Sequence, residues 1–141
     1  MPDIDPISEE TLHTLKNIPT QTLIDGLWVK GWPSTYVQGA RPLGLGQSMA
    51  GRAVTLRFVP HRPDLANDKP KGENSAEYVA IELCGPNEIL VIDALGWKYS
   101  SIGGDIKFMR LMQRKVGGLV TDGGVRDSVV LKEYGFPVFS A

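Results

Sequence analysis

Arg126 and Asp127 stand side by side just after one glycine pair, Gly123-Gly124, and a second pair, Gly103-Gly104, stands immediately ahead of Asp105. These residue types suit a small anionic substrate. A guanidinium holds a carboxylate through two parallel hydrogen bonds, and an aspartate ligates a hard divalent cation through oxygen. Glycine pairs let backbone N–H groups come close to an anion, and a helix starting there adds a favourable dipole. A carboxylate binder beside a cation binder fits a 2-oxo acid, which chelates a cation through its carboxylate and keto oxygens.

Each residue also has a plainer reading. Arg126 could form a surface ion pair, and Asp127 could cap a helix beginning at Ser128. Asp105 could be an N-cap alone, or it could hold water at a site. Gly-Gly before a helix is an ordinary tight turn, so anion binding by the backbone of Ser101, Ile102, Gly103 and Gly104 stays open on the residues alone.

The elements around these residues set their positions. From Asp105, apolar Ile106, Met109, Met112 and Val116 recur at spacings of three and four, with Lys107, Arg110 and Arg114 on the other face, which predicts a helix. Lys115 in the last turn and Gly117 just past it give the stop. Gly118 to Thr121 reads as a buried strand that delivers Asp122, Gly123, Gly124, Arg126 and Asp127 at its carboxyl end, where open α/β sheets bind ligands.

Upstream, 1–6 is a loose lead-in, Ser8 opens a short helix and Thr20 caps a second one reaching Trp28. The stretch 31–48 is a loop rich in glycine and proline. Its Gly44-Leu45-Gly46 starts like a dinucleotide fingerprint but lacks the third glycine and a preceding strand, so it is rejected. Arg52 to Val59 reads as a strand. The polar stretch 61–74 reads as a mobile loop, a candidate lid. Ser75 to Leu83, with Ala76, Val79, Ala80 and Leu83, reads as a helix, and Glu88 to Asp93 as a buried strand. A last short helix, Ser128 to Tyr134, ends at Gly135 before a strand opening at Pro137. Strands alternating with helices argue for an α/β fold with a parallel core.

At 141 residues the chain is one domain by length, and its net charge of −1 offers no basic field for nucleic acid. A single cysteine, Cys84, excludes an internal disulfide framework and a multi-cysteine zinc site; it reads as a core residue. Without a leader or a long apolar span, the chain reads as cytoplasmic with no membrane partner. Asp93 and Asp122, at strand ends, read as turn formers. His13 and His61 are isolated, and Trp28, Trp32 and Trp97 could line a pocket or a subunit contact, with core packing as the default.

Asp105, twenty intervening residues and then Arg126-Asp127 resembles the D-x20-R-D signature of the class II pyruvate aldolases of the RraA-like family. Ala50 to Leu56 and Gly85 to Asp93 resemble that family's first core strand and its next turn and strand. The resemblance runs from about Thr20 to the end. It implies a swivelling β/β/α fold with βαβ units. It also implies a further β-rich segment beyond residue 141, so that the single domain 1–141 would be truncated.

For function the resemblance implies a divalent-metal-dependent lyase. It would cleave 4-hydroxy-2-oxo di- or tricarboxylic acids, such as 4-hydroxy-4-methyl-2-oxoglutarate or 4-carboxy-4-hydroxy-2-oxoadipate, to pyruvate and a second oxo acid. Oxaloacetate decarboxylation would accompany this. Mg²⁺ or Mn²⁺ would sit on Asp127 and waters; Arg126 and Asp105 would be catalytic, Arg126 also binding substrate and Asp105 holding metal-bound waters or a water that shuttles a proton. Ser101, Ile102, Gly103 and Gly104 would bind substrate. No lysine stands beside the motif for a Schiff base; Lys98 and Lys107 are nearest. The resemblance further implies a homotrimer or hexamer with sites between subunits. The alternative within the family is a non-catalytic regulator of ribonuclease E. The methyltransferase label sometimes attached to the family is discounted, because no glycine-rich S-adenosylmethionine loop follows a first strand.

Overall fold

The computed structural model describes residues 6–65 and 67–141. Its elements run α1 (Glu9–Asn17), α2 (Thr20–Val29), β1 (Arg41–Pro42), β2 (Ala53–Arg57), α3 (Ala76–Leu83), β3 (Ile89–Asp93), α4 (Asp105–Gln113), β4 (Gly118–Thr121), α5 (Ser128–Glu133) and β5 (Val138–Ser140). One sheet orders the strands β1-β5-β4-β3-β2. β2 to β5 are parallel, as the alternation of strands and helices leads one to expect. β1 lies antiparallel on β5 and makes the sheet mixed; it comes from the stretch read as loop.

A row of partners crosses the sheet in register: Val54 beside Leu90, Leu90 beside Leu119, Leu119 beside Val138. Register partners in a sheet project from the same face. That face packs against Ala80, Ile81 and Cys84 of the α3 segment, Phe108 and Leu111 of α4 and Leu131 of α5, forming one core. Phe108 and Phe136 meet edge to face at 6.0 Å, an arrangement the ring quadrupoles favour.

Both core helices bury only part of the face read from the sequence: Met112 and Val116 of the stripe read for α4 and Ala80 of that read for α3 pack in the core, and the rest does not. In α4 the buried residues are Phe108 and Leu111, whereas Ile106 and Met109 are 64% and 44% exposed. In α3 the buried residues are Ala80 and Ile81, and Val79 and Leu83 face outward. Both helices are apolar over more than one stripe, so periodicity alone does not select the stripe that meets the sheet. Arg110 and Arg114 instead reach sideways to Glu82 at 2.6 Å and 3.0 Å, linking α4 to α3.

Element ends differ in detail. α4 stops at Gln113, and Lys115, with φ of 60°, takes the left-handed position expected of Gly117. Gly117 is glycine for another reason: a Cβ there would stand 3.0 Å from the Asn87 carbonyl oxygen. Pro19, rather than Thr20, is the N-cap of α2. The stretch 61–74 contains 3₁₀ turns at Pro63–Leu65 and Gly72–Asn74. Of the lead-in 1–6, residues 1–5 lie outside the described residues.

Candidate functional site

Two loops at the carboxyl end of the sheet form the site. The loop after β4 carries Gly123 to Asp127, and the one ahead of α4 carries Ser101 to Gly104. They are joined by a short strand-like pairing. Ser101 bridges Gly124 in parallel, the Ile102 N–H donates to the Gly124 carbonyl at 3.0 Å, and the Arg126 N–H donates to the Gly103 carbonyl at 3.1 Å. Ser101 Oγ also donates to the Gly103 carbonyl at 2.8 Å. This pairing brings together residues that are 22 or 23 positions apart in sequence.

Close approach requires Gly104. A Cβ there would collide with Asp127 Oδ2 and stand 2.6 Å from Arg126 Nε. Gly104 and not Asp105 is the N-cap of α4. The carboxylate that serves this helix start is that of Asp127, whose Oδ2 accepts from the Asp105 N–H at 3.1 Å. Asp105 Oδ1 accepts from the Ile106 N–H at 2.7 Å. The acids of the site thus take the Asp105 and Ile106 amides, whereas of the amides read as an anion cradle the Ile102 N–H donates to the Gly124 carbonyl and the Gly103 N–H to Ser101 Oγ at 3.2 Å.

Asp127 also occupies the N-cap position of α5, as the plainer reading expects, yet its side chain makes no hydrogen bond to that helix. The backbone explains this. An N-cap side chain reaches its own first turn from an extended conformation, whereas Asp127 is left-handed, with φ of 59° and ψ of 30°. Aspartate tolerates that region better than most residues, and the conformation turns its carboxylate back toward α4. Arg126 Nε lies 3.7 Å from Asp127 Oδ2, with the arginine side chain 73% exposed.

The acids can be tested against a cation. Asp127 and Asp105 place two carboxylates at one helix start, and no group of three or more His, Cys, Asp or Glu converges among the described residues. One or two carboxylates completed by water is the donor set of Mg²⁺ and chemically similar hard ions, not the four-ligand nitrogen and sulfur set of structural zinc. The residues present fit the hard cation.

The remaining candidates separate cleanly. Asp122 is a turn former: its two oxygens accept from the Ala94 and Gly96 N–H groups, each at 2.6 Å. Asp93 accepts from the Leu95 N–H and pairs with Arg57, contacts that hold its carboxyl below the usual range. Cys84 is fully buried, and burial pushes its thiol up to about 11. Lys107 reaches Glu77 at 3.4 Å and the Ile102 carbonyl at 3.3 Å. The three tryptophans do not take the default of core packing: Trp28, Trp32 and Trp97 are 69%, 67% and 64% exposed, and Trp97 lines a pocket, the other reading offered for it.

A cavity of about 520 Å³ adjoins the site and is lined by residues following β2 and β3, including His61, Glu77 and Trp97, together with Ser101 and Ile102. Sequence spacing gave no reason to choose His61 or Glu77. The available signal was positional, since Pro60-His61 follows closely on a parallel strand's carboxyl end. Burial pushes the Glu77 carboxyl up, but its own backbone N–H, Lys107 and Ser75 outweigh that and keep it below the ordinary value.

Residues 20–141 match the RraA-like family, described as Aldolase/RraA. A protein of Halalkalibacterium halodurans named "Putative 4-hydroxy-4-methyl-2-oxoglutarate aldolase" is 27% identical over 124 residues, covering 88% of this chain and 52% of its own length. Streptomyces coelicolor RraAS2, described as an unusual member of the RNase ES inhibitor RraA family, superposes with a TM-score of 0.82 at 26% identity. That match covers 97% of this chain and 64% of the other. The Thermus RNA-processing inhibitor RraA shares the fold, with a TM-score of 0.61 at 20% identity over 88% of this chain and 66% of the other. The chain therefore spans about half the length of the curated relative. With the family match, the likeness in fold and the Asp105, Arg126 and Asp127 cluster all in agreement, this chain belongs to the RraA-like family.

Proposed function

We propose that the protein is a divalent-metal-dependent lyase that releases pyruvate from a 4-hydroxy-2-oxo acid by retro-aldol cleavage, with oxaloacetate decarboxylation as a companion activity. The observation that carries this reading is the convergence of Gly104, Asp105, Arg126 and Asp127, packed so closely that a single Cβ at Gly104 would displace the two charged side chains.

Arg126, exposed at the mouth of the site, donates hydrogen bonds to the pyruvyl end of the substrate and fixes its orientation. Asp105 holds the water that takes the C4 hydroxyl proton. The C3–C4 bond then breaks, its electron pair moves toward C2, and negative charge develops on the keto oxygen. Arg126 meets that charge, and the enolate of pyruvate is afterwards protonated at C3. Asp127, with Asp105 beside it, would hold Mg²⁺ or Mn²⁺, which supplies a Lewis acid for the keto oxygen when bound. Asp127 keeps that carboxylate in place through the Asp105 N–H.

The test is pyruvate release from oxaloacetate with Mg²⁺ and with EDTA. Release is expected with the metal and should stop on chelation; release indifferent to EDTA would remove the metal from the reaction.

A second reading, a protein-binding regulator of a ribonuclease, is favoured by the close likeness to RraAS2. Capture of ribonuclease E by the protein, with no pyruvate released, would select it. Either activity is expected of a soluble homotrimer or hexamer.

A further inference from the structure

The cavity beside the site carries an inference about the substrate. It lies beyond the carboxyl ends of β2 and β3, next along the same sheet edge to the Arg126 loop. The two are contiguous. Ser101 and Ile102 line the cavity, and the same residues are bonded to Gly124 in the loop that ends in Arg126 and Asp127. At about 520 Å³ it has the size of a small-molecule site.

Its walls are apolar for the most part, with Phe58, Val59, Leu95, Trp97 and Ile102 among them, and none of the described residues lining it is a lysine or arginine. The one acid, Glu77, faces it. Lys107 already serves Glu77 and the Ile102 carbonyl, and its ammonium lies 5.5 Å from the centre of the Tyr78 ring. A carboxylate entering this space would give up water and meet Glu77, with His61 and two serines as the polar side chains left to receive it. An alkyl or aryl group would gain contact with Trp97 and its neighbours.

Resting on the retro-aldol reading above, we propose that this cavity receives the leaving half of the substrate, and that this half is an uncharged, apolar or aromatic aldehyde or ketone rather than a second oxo acid. The cleaved bond is C3–C4. The C4 hydroxyl loses its proton to water, C4 becomes the carbonyl carbon of the leaving compound, and the bonding pair stays with the pyruvate enolate. No oxidant or reductant is needed.

Two ligands that lack the C4 hydroxyl, and so cannot be cleaved, differ only at C4: 4-phenyl-2-oxobutanoate and 2-oxoglutarate. Titration calorimetry of each against the protein with Mg²⁺ is expected to give the phenyl compound a Kd lower by about 10-fold or more, as apolar pockets discriminate. Val59→Arg, at a position 67% exposed and so tolerant of a charge, is expected to abolish or reverse that ratio. A 2-oxoglutarate affinity equal or superior to that of the phenyl ligand would overturn the inference. So would an unchanged ratio in Val59→Arg.

The oxaloacetate assay on the same preparation separates the two levels. Pyruvate release together with a preference for 2-oxoglutarate overturns only the substrate class. No release and no binding of either ligand removes both readings.

Discussion

Two glycine turns in this chain look alike as sequence and do opposite things. Around Gly44 to Gln47, the Gln47 amide is consumed by the protein itself. It accepts from the Gly44 and Val138 N–H groups at 3.2 Å and 3.3 Å, and donates to the Phe136 carbonyl at 3.0 Å. The turn is a clip that fastens a loop to the edge of the sheet beside β5. At Gly103-Gly104 the turn is equally well bonded, but its backbone is satisfied in such a way that a guanidinium and two carboxylates are left together at the rim of the sheet. The difference lies in the groups gathered: a neutral amide at Gly44, and a guanidinium with two carboxylates, open to solvent, at Gly104.

The largest expected effect falls on the second turn. Asp127→Ala removes the carboxylate proposed to hold the cation and with it the acceptor for the Asp105 N–H. It should cut oxaloacetate decarboxylation by roughly 10²–10³ or more and lower stability by about 1 kcal/mol, read by the pyruvate assay and a denaturant melt. Asp127→Asn sharpens the point: it keeps an acceptor oxygen, so stability should recover while activity does not.

Arg126→Ala should cost a similar factor, roughly 10²–10³, in kcat/KM. It should leave the melt unchanged, since the side chain is 73% exposed. A clear loss of stability would instead place Arg126 in the structural role of Gln47.

Gly104→Ala forces its Cβ against Asp127 and Arg126. Misplacement of the charged pair by about 1 Å should cost roughly 10²-fold in rate. The matched change Gly44→Ala meets only the Gln47 side chain, at 3.1 Å, and should leave the rate per folded molecule intact. Gln47→Ala should do the reverse of Arg126→Ala. Loss of its contacts should lower stability by about 1–3 kcal/mol with unchanged kcat/KM.

The smallest effect concerns the core beneath both turns. The folded protein holds the Cys84 proton up to about 11, against 9.0 for an ordinary thiol. Stability contributed by this group is therefore complete below the ordinary value and is lost as pH rises through about 11. Cys84→Ala should flatten that part of the pH–stability profile. An identical profile in the variant would show that other groups govern it.

The α/β class and the succession of strands and helices from β2 to β5 were legible in the residues, because they rest on local information: apolar runs of strand length and glycine pairs at element ends. That Asp105, Arg126 and Asp127 belong together was implied by the family resemblance, and the structure brings the three to one helix start. The inward faces of α3 and α4 were legible only in part. Val79, Leu83, Ile106 and Met109 are as apolar as Ala80, Ile81, Phe108 and Leu111, and only the fit against Leu90, Leu119 and Val138 selects between the stripes. Nor did the sequence reveal β1, a two-residue strand that exists because β5 offers it an edge.

By itself, then, the sequence determined which groups could do chemistry, because a side chain's charge and a glycine's freedom belong to the residue. Only the tertiary structure decided which way those groups point and what lies beside them. The left-handed turn at Asp127 sends its carboxylate to α4 rather than to α5, and the ends of β2 and β3 together with α3 set an apolar cavity, with His61 and Glu77 in its wall, against the Ser101–Ile102 segment that pairs with Gly124. Both outcomes follow from contacts between segments far apart in the chain, which no local pattern encodes.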